Sequence, residues 1–175
     1  MRKKSNEELG RLNENEYSDS ANRDLVVIAD NVRSMNNIGS MFRTSDAFLV
    51  SKIYLCGISG TPPHREITKT AIGAEKSVPW EYRKSTTELA DELLKDNFTL
   101  IAIEQADDAL NMMNVQYPEG PIAFIFGNEI DGVSQDVINK CQYCMEIPQL
   151  GIKHSFNVSV SCGMVLWDYE KFRNN

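Results

Sequence analysis

Five short apolar runs, separated by polar or helically periodic stretches, constrain this chain more than any other feature. They are LVVIAD (25–30), KIYLCG (52–57), FTLIAIE (98–104), PIAFIFG (121–127) and YCMEIP (143–148). Unbroken apolar runs of this length belong to strands covered on both faces, and strands covered on both faces belong to parallel sheets flanked by helices. After the first run, Ile38, Met41, Phe42, Ser45, Phe48 and Leu49 recur at helical spacing. REITKTAIGAEK predicts a short helix with a glycine near its end, and WEYRKS a short polar strand. TTELADELLKDN reads as an amphipathic helix capped by Ser85 or Thr86, and a helix is expected from an N-cap at Ser134 to about Lys140. A long helix is expected from Ser155 to about Phe172, rich in small residues at Ser159, Ser161, Cys162 and Gly163. This alternation predicts an α/β domain built on a mostly parallel sheet flanked by helices.

A single domain over residues 21–175 is expected, preceded by a polar arm at 1–20 that reads as a frayed helix or mobile segment. No stretch reaches the ~18 apolar residues of a membrane helix, and the start MRKKSNEELG has no apolar core of a secretory signal, so a cytosolic protein without membrane contact is expected. The four cysteines are too sparse for a disulfide framework and predict reduced, mostly buried thiols. Cys141 and Cys144 have C-x-x-C spacing, but no second pair or matching histidines complete a metal site, and none is expected. The net charge of −7 opposes nucleic-acid binding through bulk positive charge. It is offset locally, because Arg33, Arg43, Lys52, His64, Arg65, Lys69 and Lys76 all fall in the first half.

In sheets of this kind ligands bind beyond the carboxyl ends of the strands. The segment after the first strand, Asp30 to Thr44, carries Asn36, Asn37 and Gly39 at a helix start, good turn and capping chemistry. Arg43 lies about two turns on, beside core-facing Met41 and Phe42, which would set its guanidinium at the rim of the buried face, within reach of the strand ends. Read alone, a lone helical arginine is more often a solvated or salt-bridged side chain. After PIAFIFG come Gly127, Asn128 and Glu129, where a glycine admits close backbone approach and an Asn-Glu pair can bind a sugar or amine. After YCMEIP comes a polar loop from Pro148 to Asn157, with Ser155 and Asn157 as side-chain donors near a helix start. No phosphate-loop, dinucleotide or nucleophile-elbow signature is present, which removes three common α/β chemistries.

Three blocks, NNIGSMFRTSDAF (36–48), IAFIFGNEIDGVS (122–134) and IPQLGIKHSFNVSVSCGMVLW (147–167), resemble the SpoU (TrmH) branch of the SPOUT methyltransferases in order and spacing, over about residues 22–172. The resemblance implies a deep trefoil knot in the carboxyl-terminal part, an exception to the rule against knots. It also implies a homodimer with the active site at the subunit interface. Arg43 matches the family's catalytic arginine, Asn37 the asparagine before it, Glu129 the acidic residue of the second block, and Ser155 with Asn157 the polar pair of the third. S-adenosylmethionine would be held near Ile103, Glu104, Gln105, Gly127, Asn128, Ile147, Leu150, Phe156 and Asn157, largely by backbone groups. Phe156 departs from a more usual Leu, and Leu49 from a frequent Gly. The implied activity is 2′-O-methylation of transfer or ribosomal RNA, with Arg43 better suited to hold a phosphate than to act as a base, since its pKa lies above ~12. Two alternatives stay open: a small-molecule α/β enzyme using the same loops, and a non-catalytic RNA-binding module of the same fold.

Overall fold

The computed structural model describes residues 1–5, 7–10, 12, 16–17, 20–152 and 154–174. The expectation for the arm at 1–20 therefore falls partly outside the described residues, as does Lys153 of the loop before the last helix. The strands are β1 (Asn22–Asp30), β2 (Val50–Cys56), β3 (Trp80–Arg83), β4 (Thr99–Ile103), β5 (Leu110–Asn111), β6 (Ile122–Phe126) and β7 (Tyr143–Glu146). They form one seven-stranded sheet in the order β3-β2-β1-β6-β4-β7-β5. Every pairing is parallel. The helices are α1 (Met35–Ala47), α2 (Arg65–Ala71), α3 (Ala74–Ser77), α4 (Thr86–Lys95), α5 (Gln135–Ile138) and α6 (Val158–Arg173).

The apolar runs are unbroken because alternate residues serve two separate layers. All of β6 is buried. Ile122, Phe124 and Phe126 join Leu25, Val27, Ala29 and Ile101 in the layer completed by Ile38, Met41 and Phe42 of α1 and by Cys162, Val165, Leu166 and Tyr169 of α6. Ala123 and Ile125 join Val26, Ile28, Leu100 and Ala102 under Leu89, Ala90 and Leu93 of α4 and Val137 of α5. Phe124 also takes edge-to-face contacts from Tyr117 at 6.0 Å and Tyr169 at 5.5 Å, so truncating it to alanine would cost about 3–5 kcal/mol.

Register is what builds the site. Ala29 pairs with Phe126, Phe126 with Ile103, and Ile103 with Met145. The next residue of each strand or of the turn after it is Asp30, Gly127, Glu104 and Glu146, which form one row across the carboxyl edge of the sheet.

Several boundaries differ from the sequence reading. The expected helix over 65–76 is two, α2 and α3, because Ile72 (φ 54°) and Gly73 (φ 95°) both adopt the left-handed conformation between them. The helix expected from Ser155 starts at Val158, with Asn157 as its N-cap. The helix after Ser134 ends at Ile138, and Ser134 makes no side-chain cap bond. Ser85 caps α4 by accepting the Glu88 N–H. Leu49, where the family resemblance implied a frequent glycine, also has a positive φ of 52°, a conformation that costs a leucine about 1 kcal/mol or more. Tyr17, inside the expected mobile arm, is 4% exposed, and its hydroxyl donates to the Val50 carbonyl at 2.9 Å. Cys56 and Cys162 are buried thiols, whereas Cys141 and Cys144 are only half-buried. No helix among the described residues is long and apolar enough to cross a membrane.

Candidate active site

A cleft of about 410 Å³ opens beyond the row of strand ends. Its walls are the end of β4 (Ile103, Glu104, Gln105), the turn after β6 (Gly127 to Gly132) and the segment after β7, including Ile147, Gln149, Ser155, Phe156 and Asn157. The β6 turn is closed by Asn128. Its backbone exchanges hydrogen bonds with Gly132, both 3.1 Å, and its Oδ1 accepts the Ile130 and Asp131 N–H groups at 2.9 Å each. Glycine is required at 127, since a Cβ there would run into the Gly132–Val133 peptide.

Three side chains from three distant blocks meet at the rim. Asn37 Nδ2 donates to Glu129 Oε1 at 2.7 Å, and Asn157 Nδ2 donates to Asn37 Oδ1 at 3.1 Å. Asn157 Oδ1 in turn accepts the Ser159 N–H at 2.9 Å and the Ser159 hydroxyl at 2.7 Å, so one residue both starts α6 and fixes Asn37. Asn37 does not cap α1; Ser34 does, accepting the Asn37 N–H at 3.3 Å. The loop before Asn157 is tied to β4 through the His154 carbonyl, which accepts Gln105 Nε2 at 2.8 Å and Gln149 Nε2 at 3.2 Å.

Two expected residues lie elsewhere. The Leu150 side chain is fully exposed and does not line the cleft. Arg43 is exposed and outside the lining, and among the described residues it makes no hydrogen bond or ion pair. The reason is helical geometry. Six residues from Asn37 turn the helix by about 600°, which leaves Arg43 about 120° round α1 from Asn37, on the flank toward α2.

Sequence reasoning missed other parts. Asp30, 1% exposed, accepts from Thr86 Oγ1 at 2.6 Å, Asn31 Nδ2 at 2.9 Å and Ser134 N at 3.1 Å, and so pins β1 to α4 and to the segment after the β6 turn. The cleft also includes Asp131, Glu146 and Ser161. An acid closing an apolar run was the available signal for Asp30. Burial pushes the Cys141 thiol up to about 12, and burial followed by the Glu104 charge also raises Cys144. Both thiols donate to carbonyls, of Val137 and Glu104 respectively. Among the described residues no cluster of His, Cys, Asp and Glu is arranged to hold a metal ion. Among the described residues, the charged side chains lining the cleft are Glu104, Glu129, Asp131 and Glu146, all acidic. Such walls, with amides and glycine backbone between them, suit a polar organic ligand that is neutral or cationic, and disfavour a polyphosphate.

The SpoU rRNA Methylase family matches residues 24–167. The tRNA (guanosine(18)-2'-O)-methyltransferase of Aquifex aeolicus (strain VF5) is 28% identical over 164 residues, covering 90% of this chain and 74% of that protein. A TrmH-family chain of Staphylococcus aureus (strain COL) is 30% identical over 148 residues, 85% of this chain but only 58% of its own length. Mouse TARBP1, a tRNA (guanosine(18)-2'-O)-methyltransferase, is 28% identical over 149 residues, and this chain spans 9% of it. Among solved structures, the A. aeolicus TrmH/SpoU tRNA modifying enzyme superposes with a TM-score of 0.80 at 28% identity, covering 88% of this chain and 77% of that one. The SpoU methyltransferase AviRb of Streptomyces viridochromogenes, solved with AdoMet, gives 0.80 at 22% identity, covering 89% and 63%, and so shares the fold. The matched span begins within β1 and ends within α6, enclosing the whole cleft: this chain belongs to the SpoU rRNA Methylase family.

Proposed function

We propose that this chain transfers a methyl group from S-adenosylmethionine to a ribose 2′-hydroxyl of transfer or ribosomal RNA. The observation that carries the reading is the hydrogen-bonded chain Asn157–Asn37–Glu129 on the rim of a cleft whose charged walls are acidic. The cleft volume of about 410 Å³ lies within the range of small-ligand sites. The activated methyl would be supplied by the donor, whose sulfonium carries a positive charge that the carboxylates favour. Ile103, Glu104, Gln105, Gly127, Asn128, Ile147, Phe156 and Asn157 would hold it, with Leu150 able to contribute only through its backbone.

In the transfer a carbon–sulfur bond breaks, a carbon–oxygen bond forms and the hydroxyl loses its proton. The chain must align the hydroxyl and accept or pass on that proton. Glu129, held by Asn37, is the acceptor offered at the rim, and Ser155 is a further hydroxyl lining the cleft. Arg43 binds an RNA phosphate and so orients the ribose. Because it faces away from the cleft of its own protomer, it serves the cleft of a second copy, and the active unit is a homodimer. The outward side of α6 supports this. Val160 is 47% and Trp167 64% exposed there, with Phe48 edge-on to Trp167 at 6.3 Å. The carboxyl-terminal trefoil knot is supported by the sheet order, in which β4 separates β6 from β7 while α6 returns to pack on α1. The proposed site of action is the cytoplasm.

Calorimetric titration with S-adenosylmethionine, followed by mass spectrometry of nucleosides from tRNA and rRNA incubated with the protein, tests the reading. Binding together with a new 2′-O-methylated nucleoside is expected. Absence of binding removes the donor and favours the small-molecule enzyme, the reading that the charge of −7 favours; binding without any modified nucleoside favours the non-catalytic module of the same fold.

A further inference from the structure

The end of β4 was expected to act through its backbone, yet the Glu104 side chain has partners of its own. Its Oε2 accepts the Val133 N–H at 3.0 Å, and its Oε1 accepts the Gln105 N–H at 2.9 Å. Gly132 lies directly against it, at φ 68°, and a Cβ there would run into the carboxylate. The backbone of the same residue reaches β7: Glu104 N–H donates to the Met145 carbonyl at 3.1 Å, and its carbonyl accepts the Cys144 thiol at 3.4 Å. Gln105 then extends the connection to the 147–157 segment through the His154 carbonyl. Glu104 and its neighbour Gln105 thus join all three walls of the cleft.

Its chemistry is costly for a purely structural role. Glu104 is half-buried, and among the described residues no lysine or arginine pairs with it. An apolar side chain at this position would continue the FTLIAI run without the desolvation cost of a carboxylate. What a carboxylate adds is two acceptors in a fixed plane, able to hold two backbone N–H groups from different loops at once.

We propose that Glu104 is a positioning residue for the methyl donor: it latches the 127–133 turn to β4 and thereby sets the width of the cleft before the ligand enters. The proposal rests on the methyl-donor reading of the cleft. It also accounts for Gly132, since no other residue leaves room for the latch while adopting a positive φ without strain.

The test uses the full chain with Glu104→Ala, Glu104→Gln, Gly132→Ala and the Glu104→Ala/Gly132→Ala pair. Glu104→Ala strands the Val133 N–H and is expected to weaken S-adenosylmethionine binding about tenfold and to raise its KM by the same factor. At saturating donor the loss in kcat is smaller than the loss in donor affinity, and the loss in RNA affinity smaller again, because a pre-set cleft acts on donor binding more than on the transfer step. Glu104→Gln, which keeps one acceptor, falls between. Gly132→Ala also loses affinity, but less in the Glu104→Ala background, where the obstacle has gone. Hydrogen exchange at the Val133 amide accelerates in Glu104→Ala with or without donor.

Wild-type donor affinity in Glu104→Ala overturns the proposal, as does strict additivity of the two alanine substitutions. Parallel loss of donor affinity, RNA affinity and thermal stability overturns it in favour of a merely structural role. If the wild-type chain fails to bind the donor, the underlying reading falls; if Val133 exchange ignores Glu104→Ala, the latch itself falls.

Discussion

The two flanks of α1 are made from one 13-residue helix, yet they are finished differently. On one flank Asn37 is locked between Glu129 and Asn157, and Thr44 lies against Gly163 of α6. On the other flank, Gly39 lets α2 come so close that a Cβ would strike Thr70, whose hydroxyl donates to the Asn36 carbonyl at 3.0 Å, and beyond that contact Arg43 projects with no partner among the described residues. The first flank is internally satisfied and the second is not. A guanidinium with no partner among the described residues, in a chain of net charge −7, fits the proposal that its work lies outside its own protomer.

The largest expected effect falls on the unsatisfied flank. Arg43→Ala should lower the methyl-transfer rate by about 100-fold or more while donor affinity and melting temperature stay near wild type, because the side chain is exposed and touches no part of the cleft. Equal loss of donor binding would put Arg43 inside the cleft of its own protomer. Next in size, mixing Arg43→Ala with Asn157→Ala copies should restore about a quarter of wild-type activity, the share expected when half of the dimers are mixed and each mixed dimer has one intact site. No recovery would show that both residues act within one chain.

On the satisfied flank, Asn157→Ala removes both the α6 cap and the tie to Asn37. It should cost about 1 kcal/mol of stability by denaturant unfolding and weaken donor binding about tenfold, whereas Asn37→Ala, which leaves the cap intact, costs less stability. Unchanged calorimetric binding by Asn157→Ala would detach this flank from the cofactor.

The smallest effect compares the layers beneath and opposite α1. Burial holds the thiols of Cys162 and Cys56 at about 12, against an ordinary value of 9.0. The folded state keeps protons that the unfolded chain releases, so this contribution is intact below pH 9 and is lost as pH rises toward 12. The loss is at most ~1.4 kcal/mol per pH unit for each thiol. Cys162→Ala and Cys56→Ala should each flatten the alkaline limb of the stability profile.

The sequence showed the strands well, because continuous burial on both faces writes itself as continuous apolar runs. It hid β5, which has only two residues and pairs with one neighbour. It started α6 at Ser155 rather than after Asn157, since both are capping residues; Asn157 is the cap, and it is also tied to Asn37, 120 positions away. Helical periodicity gave the place of Arg43 on α1 but not which neighbour each flank would meet, and that neighbour decides whether the side chain enters the cleft. The break at Ile72 was concealed by a residue that rarely adopts a left-handed conformation.

Tyr17 has a consequence for where this folding unit can be cut. Its ring is buried and its hydroxyl reaches Val50, at the junction where α1 gives way to β2. That junction is the far end of the helix whose first turns carry Asn37. A truncation at residue 20, at the edge suggested by polarity, would unfasten the helix from behind while leaving every cleft residue in place, and we place the working boundary on the amino-terminal side of Tyr17.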